Sequence, residues 1–341
     1  MSHYCPIGLL TLIFANAIIW VKKDGKTVFA KGSEKMYLEK FVLPVNKEEK
    51  LIDTLMKKNA GPLGYIDNEY PCGLFLKKGL SEINFAKITV FCGGNGSGKS
   101  TLLNLIAEKV GLKRVAPYNS SEMFGIYAQN CKYTLGFDDE GDRYRVPNGS
   151  RIITSDDVFD YMLTVRTNND DISENKEDAK EKWGDLRFGK TIKIKNIDDY
   201  EDIRLQVLAR SKSVSRRQFI RRTAGSEIKL NSNGETALNY FNKKLKNDTL
   251  YCLDEPENSM SPKMQLELAE ILGEMARYCG CQFIIATHSP FLLSLPGARI
   301  YDLDSEPTEI KEWWELENTR TYFEFFEKNR HLFTETRGGM K

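Results

Sequence analysis

INFAKITVFCGGNGSGKSTLLNLIAEKV, residues 83–110, decides the fold. Its first part is an apolar run that reads as a strand ending at Cys92. Glycines follow at 93, 94, 96 and 98, and then Lys99, Ser100 and Thr101. Leu102, Leu103, Ile106 and Val110 recur at helical spacing, so a helix is expected to start directly after the glycines. Gly93, Gly98, Lys99 and Ser100 fit the pattern GxxxxGK[ST]. Such a loop wraps its backbone N–H groups around phosphates, and the following helix turns its positive end toward the same anion. The loop Gly93, Gly94, Asn95, Gly96, Ser97, Gly98 and the start of the helix are thus candidate nucleotide contacts. Lys99 can reach the β- and γ-phosphates, and Ser100 can ligate Mg2+. A plain glycine-rich turn before a helix would not require this lysine and serine.

Bulk properties add limits. With 28% charged and 41% hydrophobic residues and a formal net charge of +1, nothing global demands a nucleic acid or a membrane, so such partners must be argued from local patches. The seven cysteines include no CxxC, which reads as reduced thiols of a cytosolic protein. Cys279-Gly280-Cys281 has no second ligand pair nearby and reads as a helix end and a strand start. The N-terminal run IGLLTLIFANAIIWV, residues 7–21, is short for a membrane span and is followed by lysines, the reverse of a signal peptide. Three readings stand: a membrane anchor, a buried element, or a leader preceding a natural start at Met36. Residues 1–35 are expected to be such a leader.

The last third is regular. TLYCLDEPENS (249–259) is a buried strand that delivers Asp254 and Glu255 to its tip, where a parallel sheet places its chemistry. Asp254 can hold Mg2+, and Glu255 can polarise an attacking water. FIIATHSP (283–290) puts His288, one of only three histidines, at the end of the next strand, within reach of a γ-phosphate or that water. Strands and helices alternate, which argues for an α/β sheet. The expected organisation is a first nucleotide-binding part (36–156), a mostly helical lobe (157–245), a second nucleotide-binding part (246–306) and an aromatic C-terminal helix (307–341). Gly61 to Lys78 is expected to hold a hairpin, GIYAQN (125–130) to be strand, and Thr167 to Lys182 to be a solvated excursion.

Together, GGNGSGKST, NSNGE, LDEPENS and ATHSP resemble the ABC-type P-loop ATPases, over roughly residues 85–290. The soluble members are the most similar in motif: SMC and RecF heads, the overcoming-lysogenization-defect ATPases and short bacterial AAA family ATPases, some of which serve phage defence beside a nuclease or toxin. The resemblance implies an ABC-ATPase head, a P-loop sheet flanked by helices with a helical second lobe, that binds ATP and Mg2+. It implies that Lys99 and Ser100 form the phosphate loop, Asp254 and Glu255 the metal-and-base pair, and His288 the switch histidine. It implies that Asn258 to Pro262 faces a partner subunit. NSNGE (231–235) resembles the signature LSGGQ or LSGGE. Ser232, Gly234 and Glu235 match the latter, and Asn231 and Asn233 depart from it. In that family the signature of one subunit closes on the γ-phosphate held by the other, so a homodimer on ATP binding is expected. The glutamine-loop role is open between Gln129, expected after a strand, and Asp156, where a strand hands over to the helical lobe.

Three rival readings fit other features of the sequence. Asp138 to Gly141 fits DxxG and Asn175 to Asp178 fits NKxD, the order of a GTPase, although solvated sequence precedes the second motif. The nucleotide-binding subunit of a membrane transporter and a slow nucleotide-gated clamp are the others. Arg210, Lys212, Arg216, Arg217, Arg221 and Arg222 form a basic cluster with three readings: a solvated face, nucleic-acid contact, or contact with nucleotide across a dimer. The aromatic tail is core or a surface for a protein partner.

Overall fold

Ile88–Cys92, Leu250–Asp254 and Gln282–Ala286 are continuous buried runs, the pattern of parallel strands covered on both faces. The computed structural model describes residues 20–23, 26–29, 35–58, 69–118, 120–138, 140–189, 199–211, 214–224 and 232–335. In chain order these form a hairpin, β1 (Trp20–Lys23) with β2 (Lys26–Phe29), then β3 (Leu38–Val42), α1 (Glu48–Lys58), α2 (Leu74–Lys77), β4 (Glu82–Asn84) and β5 (Ile88–Cys92). Next come α3 (Lys99–Val110), α4 (Glu122–Asn130), β6 (Lys132–Leu135) and β7 (Arg151–Thr154). Four helices follow: α5 (Ser155–Phe188), α6 (Asp199–Arg210), α7 (Arg216–Ala224) and α8 (Asn233–Lys244). The chain ends with β8 (Leu250–Asp254), α9 (Pro262–Tyr278), β9 (Gln282–Ala286), α10 (Pro290–Leu293), β10 (Arg299–Asp302), β11 (Glu309–Lys311), α11 (Glu317–Lys328) and α12 (Arg330–Glu335). The α/β class read from the sequence is the one observed.

A six-stranded sheet runs β11-β10-β5-β9-β8-β7, parallel throughout except for β11 at its edge. Its register positions the site. Thr154 pairs with Asp254, Asp254 with Ala286, Ala286 with Phe91, and Cys92 with Asp302. The residues that follow each strand therefore emerge along one rim: Ser155, Glu255, Thr287 with His288, Gly93, and Leu303 with Asp304.

One apolar core packs α3, α4 and the antiparallel sheet β4-β3-β6 against one face, and a second packs α8, α9 and α10 against the other. The buried Gln282 joins the two sheets. Its Oε1 accepts from Leu38 N (2.8 Å), and its Nε2 donates to Leu38 O (2.7 Å) and Ala86 O (3.1 Å). A small third core of Ala179, Ala209, Val214 and Phe219 joins α5, α6 and α7.

Several sequence expectations are corrected. GIYAQN is helix, not strand: Ser121 caps α4 by accepting from Phe124 N (3.0 Å), and Met123, Phe124, Tyr127 and Ala128 are buried at helical spacing. Residues 167–182 are not an excursion but the middle of α5, which buries Val158, Met162 and Val165 early and Ala179 late. In the region expected to hold a hairpin, residues 69–78 form a turn and α2, and 59–68 lie outside the described residues. The tail begins with β11 before its helices. The leader expectation falls largely outside the described residues, apart from β1 and β2.

Candidate functional site

The glycine loop joins β5 to α3. Gly93 has no room for a side chain, since a Cβ there would meet Ser97 Oγ at 2.6 Å, and Gly98 caps α3 at a φ of 96° with Leu74 against it. Lys99 is 5% exposed, and its Nζ donates to Gly93 O (2.7 Å) and Gly94 O (3.0 Å), which holds the ammonium over the loop. The amide of Gly94 donates to both carboxylate oxygens of Asp304 (3.0 and 2.7 Å), beyond β10, so the loop is latched to the neighbouring strand's end. Ser97 Oγ is buried without a hydrogen-bond partner, an orphan beside the amides that would take phosphate.

The acidic pair lies where expected. Ser100 Oγ donates to Asp254 Oδ1 (3.0 Å). Burial pushes the Asp254 carboxyl up to about 6, the neighbouring Glu255 and Glu257 add to this, and Ser100 and Lys99 oppose it. A hydroxyl and a desolvated carboxylate form an oxygen-only pair of the kind that Mg2+ takes while keeping waters and phosphate oxygens as its other ligands. Glu255 follows with a φ of 46°, and its amide donates to Ala286 O (2.9 Å). Its Oε2 accepts from Asn258 Nδ2 (3.2 Å), and its Oε1 lies 3.8 Å from His288 Nδ1. Both side chains remain partly exposed, at 26% for Glu255 and 41% for His288, so water and substrate can reach them.

Glu257 was not singled out from the sequence. It is buried at the turn after β8, and burial pushes its carboxyl up. Its Oε1 accepts from the Thr287 hydroxyl and from His288 N (3.3 Å), while Oε2 is buried with no hydrogen-bond partner. At the next peptide, between His288 and Ser289, Asn318 Nδ2 at the start of α11 donates to His288 O (3.1 Å). A signal for this set was available only as two short polar clusters thirty residues apart.

A cleft of about 390 Å3 is lined by Asn95, Gly96, Ser97, Gly98, Lys99, Ser100, Thr101 and Glu255, together with Tyr70 and Leu74. The Tyr70 ring stacks on Phe124, and its hydroxyl meets that of Thr101. Tyr70 and Leu74 come from a distant segment that carries no recognisable motif.

Ser232, Gly234 and Glu235 do not line this cleft. They form the start of α8 as a capping box: Ser232 Oγ accepts from Glu235 N (3.3 Å), and Glu235 Oε2 accepts from Ser232 N (3.1 Å). Gly234 is pressed against the loop after the acidic strand, where a Cβ would meet Met264 Sδ at 2.3 Å and Ser259 O at 3.3 Å. Asn231 lies outside the described residues.

For the glutamine-loop role, Gln129 is misplaced by the sequence reading: it lies in α4, exposed, with its carbonyl accepting from Lys109 Nζ. Asp156 lies in the first turn of α5, two residues beyond the end of β7, on the rim where Ser155 and Glu255 emerge. The NKxD match is inside α5 rather than after a strand, so it cannot hold a guanine base rigidly. In the basic cluster, Arg210 ties α6 to Leu186 O and Gly189 O, and Arg216 lies over the Trp183 ring. Arg217 and Arg222 are exposed, whereas Lys212 and the Arg221 side chain lie outside the described residues. Among the described residues no group of three or more His, Cys, Asp or Glu is placed to hold a metal ion. No described helix is long and apolar enough to cross a membrane.

Residues 236–294 match a family model described as an AAA domain, putative AbiEii toxin, Type IV TA system. The match takes in Asp254, Glu255, Glu257 and His288 but not the glycine loop. No curated protein sequence matches the chain. Among solved structures, the SMC head domain from Thermotoga maritima is 15% identical over 81% of this chain and 99% of that one, with a TM-score of 0.36. The Smc head domain with an extended coiled coil, bound to the C-terminal domain of ScpA derived from Pyrococcus furiosus, is 13% identical over 73% and 95%, with a TM-score of 0.34. The cbiO1 protein from Clostridium perfringens, part of the ABC transporter complex cbiONQ, is 17% identical over 74% and 89%, with a TM-score of 0.30. The resemblance to P-loop ATPases read from the motifs agrees with the family match.

Proposed function

We propose that the chain binds ATP with Mg2+ and hydrolyses it between two copies of itself. The observation that carries this reading is the convergence on one rim of Lys99, Ser100 bonded to Asp254, and Glu255 beside His288. Backbone amides of the glycine loop and the α3 terminus take the β- and γ-phosphates, with Lys99 turning from its carbonyl partners toward the anion. Ser100 and Asp254 would hold Mg2+, which when bound supplies neutralisation of phosphate charge. Glu255 accepts the proton of an attacking water, and His288 steadies the γ-phosphate or that water. Tyr70 and Leu74 form the outer wall of the cleft.

The half-site containing Ser232, Gly234 and Glu235 is directed to a second copy. Those residues lie outside their own chain's cleft, and the helix they begin packs on the loop of residues 258–262. A head-to-tail pair would bring each α8 terminus to the other copy's phosphates. Glu235 already occupies one donor of that terminus, so closure requires its carboxylate to turn away from the incoming phosphate. With residues 157–245 acting as the signature lobe, the assembled head drives or licenses a partner. The toxin–antitoxin system named in the matched family's description favours a partner of that kind, the motif resemblance adds a nuclease in phage defence, and DNA contact through Arg217 and Arg222 is the second option.

Glu255→Gln tests the central claim. It should retain ATP and convert the ligand-free protein into an ATP-dependent dimer by light scattering, while phosphate release falls by about a hundredfold or more. An unmodified protein that releases no phosphate from Mg–ATP would overturn the enzymatic reading. An Glu255→Gln variant that binds ATP and stays monomeric would overturn the composite site.

A further inference from the structure

Glu257 has a burial that packing alone does not explain. A carboxyl 5% exposed with one oxygen unpartnered is costlier than an apolar side chain of the same size, unless its bonds do something an apolar group cannot. Its bonded oxygen has two donors, and both come just after the end of β9: the hydroxyl of Thr287 and the amide of His288. The Thr287 hydroxyl in turn accepts from Ser289 N (3.0 Å), so one carboxyl organises three successive residues. Ser289 Oγ continues the chain to Gln265 Oε1 (2.7 Å) in the first turns of α9, whose Nε2 donates to Met260 O (3.0 Å). At the next peptide, Asn318 holds the carbonyl of His288.

We propose that Glu257 and Asn318 are positioning residues that clamp the two peptides flanking the His288 Cα and link them to the loop of residues 258–262 and to α11. The proposal rests on the ATPase reading for its kinetic consequence. Glu257 belongs to the same turn as Asn258, Ser259 and Met260, against which Gly234 is pressed. Displacement of that turn by a second copy would therefore move the anchor of His288. The imidazole lies 3.8 Å from Glu255, and a shift of about 1 Å at such a contact is enough to separate a productive arrangement from an idle one. Asn318 gives the C-terminal helix the same access from outside. Neither residue lines the cleft, so neither is placed to contact nucleotide directly.

Three variants of the full chain test this: Glu257→Ala, Glu257→Gln and Asn318→Ala. Glu257→Gln keeps an oxygen to accept from Thr287 and His288, whereas Glu257→Ala does not. Expected in Glu257→Ala is a fall in kcat of about tenfold or more, with affinity for a fluorescent ATP analogue within about twofold of the parent. Glu257→Gln should recover most of the lost kcat. Asn318→Ala, a change at an exposed residue that leaves folding intact, should lower kcat in the same direction with unchanged affinity. Equal turnover in all variants and the parent would overturn the proposal, as would a loss confined to nucleotide affinity.

A parent without ATPase activity would overturn the functional reading instead. The clamp is then read from hydrogen exchange at the His288 amide by NMR. Exchange at least about tenfold faster in Glu257→Ala, with protection retained in Glu257→Gln, supports the clamp. Unchanged exchange in Glu257→Ala refutes it. Should Glu257→Ala fail to fold, the Asn318→Ala and Glu257→Gln results decide.

Discussion

Replacing Asp254 with asparagine should stabilise the ligand-free protein at neutral pH, although it removes a proposed metal ligand. Burial at the tip of β8 raises the carboxyl from 3.8 to about 6. Below the lower value the folded and unfolded chains are both protonated there, and the group does not disfavour folding. As pH rises from 3.8 toward 6 the unfolded chain releases its proton first, so stability falls across that window. Above about 6 the full penalty applies, at most about 3 kcal/mol for a shift of this size. Asp254 lies at a strand tip that solvent partly reaches, and screening lowers the expected effect to about 1–3 kcal/mol. Asparagine keeps an oxygen for the Ser100 hydroxyl and carries no charge. Urea titrations of both proteins from pH 4.5 to pH 8 measure the difference, in which titrations common to both cancel. Asp254→Asn should be more stable above pH 7, with the gap closing as pH falls toward 4.5. Mg–ATP should raise the melting temperature of the parent and much less that of the variant. A variant that is no more stable at pH 7.5, or a gap independent of pH, would refute the assignment of Asp254 as a desolvated carboxylate awaiting a cation.

Two further outcomes concern the scaffold. Gln282→Leu leaves the buried N–H and C=O of Leu38 without their side-chain partner, at about 1–3 kcal/mol each. An unfolding free energy lowered by about 2–6 kcal/mol, read as a lower urea midpoint at constant m, is expected, and a loss below about 1 kcal/mol would show that the two sheets are joined by other means. Ser232→Ala removes the cap of α8 and should cost about 1 kcal/mol in a thermal melt. Since Ser232 is outside its own chain's cleft, nucleotide affinity of the monomer should not change, and weaker binding by that variant would place the residue in the wrong half of the site.

The parts of the site that were legible in the sequence are those built from local rules. A continuous apolar run, glycines and an immediate amphipathic helix define β5, the loop and α3 without reference to anything distant. The tips of β8 and β9 were readable for the same reason, because Leu250 to Leu253 and Phe283 to Ala286 are apolar runs followed directly by polar residues. Local pattern misleads where tertiary packing outweighs it. Ile126 and Tyr127 suggested strand, but Ser121 caps a helix whose buried residues lie at 123, 124, 127 and 128. The charged middle of α5 has little to bury, and it is helical between ends that pack at Val158 to Val165 and at Ala179. Tyr70, Leu74 and the bond from Thr287 to Glu257 depend on contacts between segments that share no motif, so no spacing rule could have found them.

Glu255 has a left-handed backbone, at a φ of 46°, where a residue with a Cβ loses about 1–2 kcal/mol relative to glycine. Folding alone would favour glycine or asparagine there. A lineage released from hydrolysis would gain stability by a single change at this codon, and the change would abolish the proposed base. Loss of the proposed base at position 255 is thus downhill for the fold, whereas its recovery is uphill. Descendants that keep the phosphate loop and have glycine or asparagine at 255 would be the natural form of a binding-only relative.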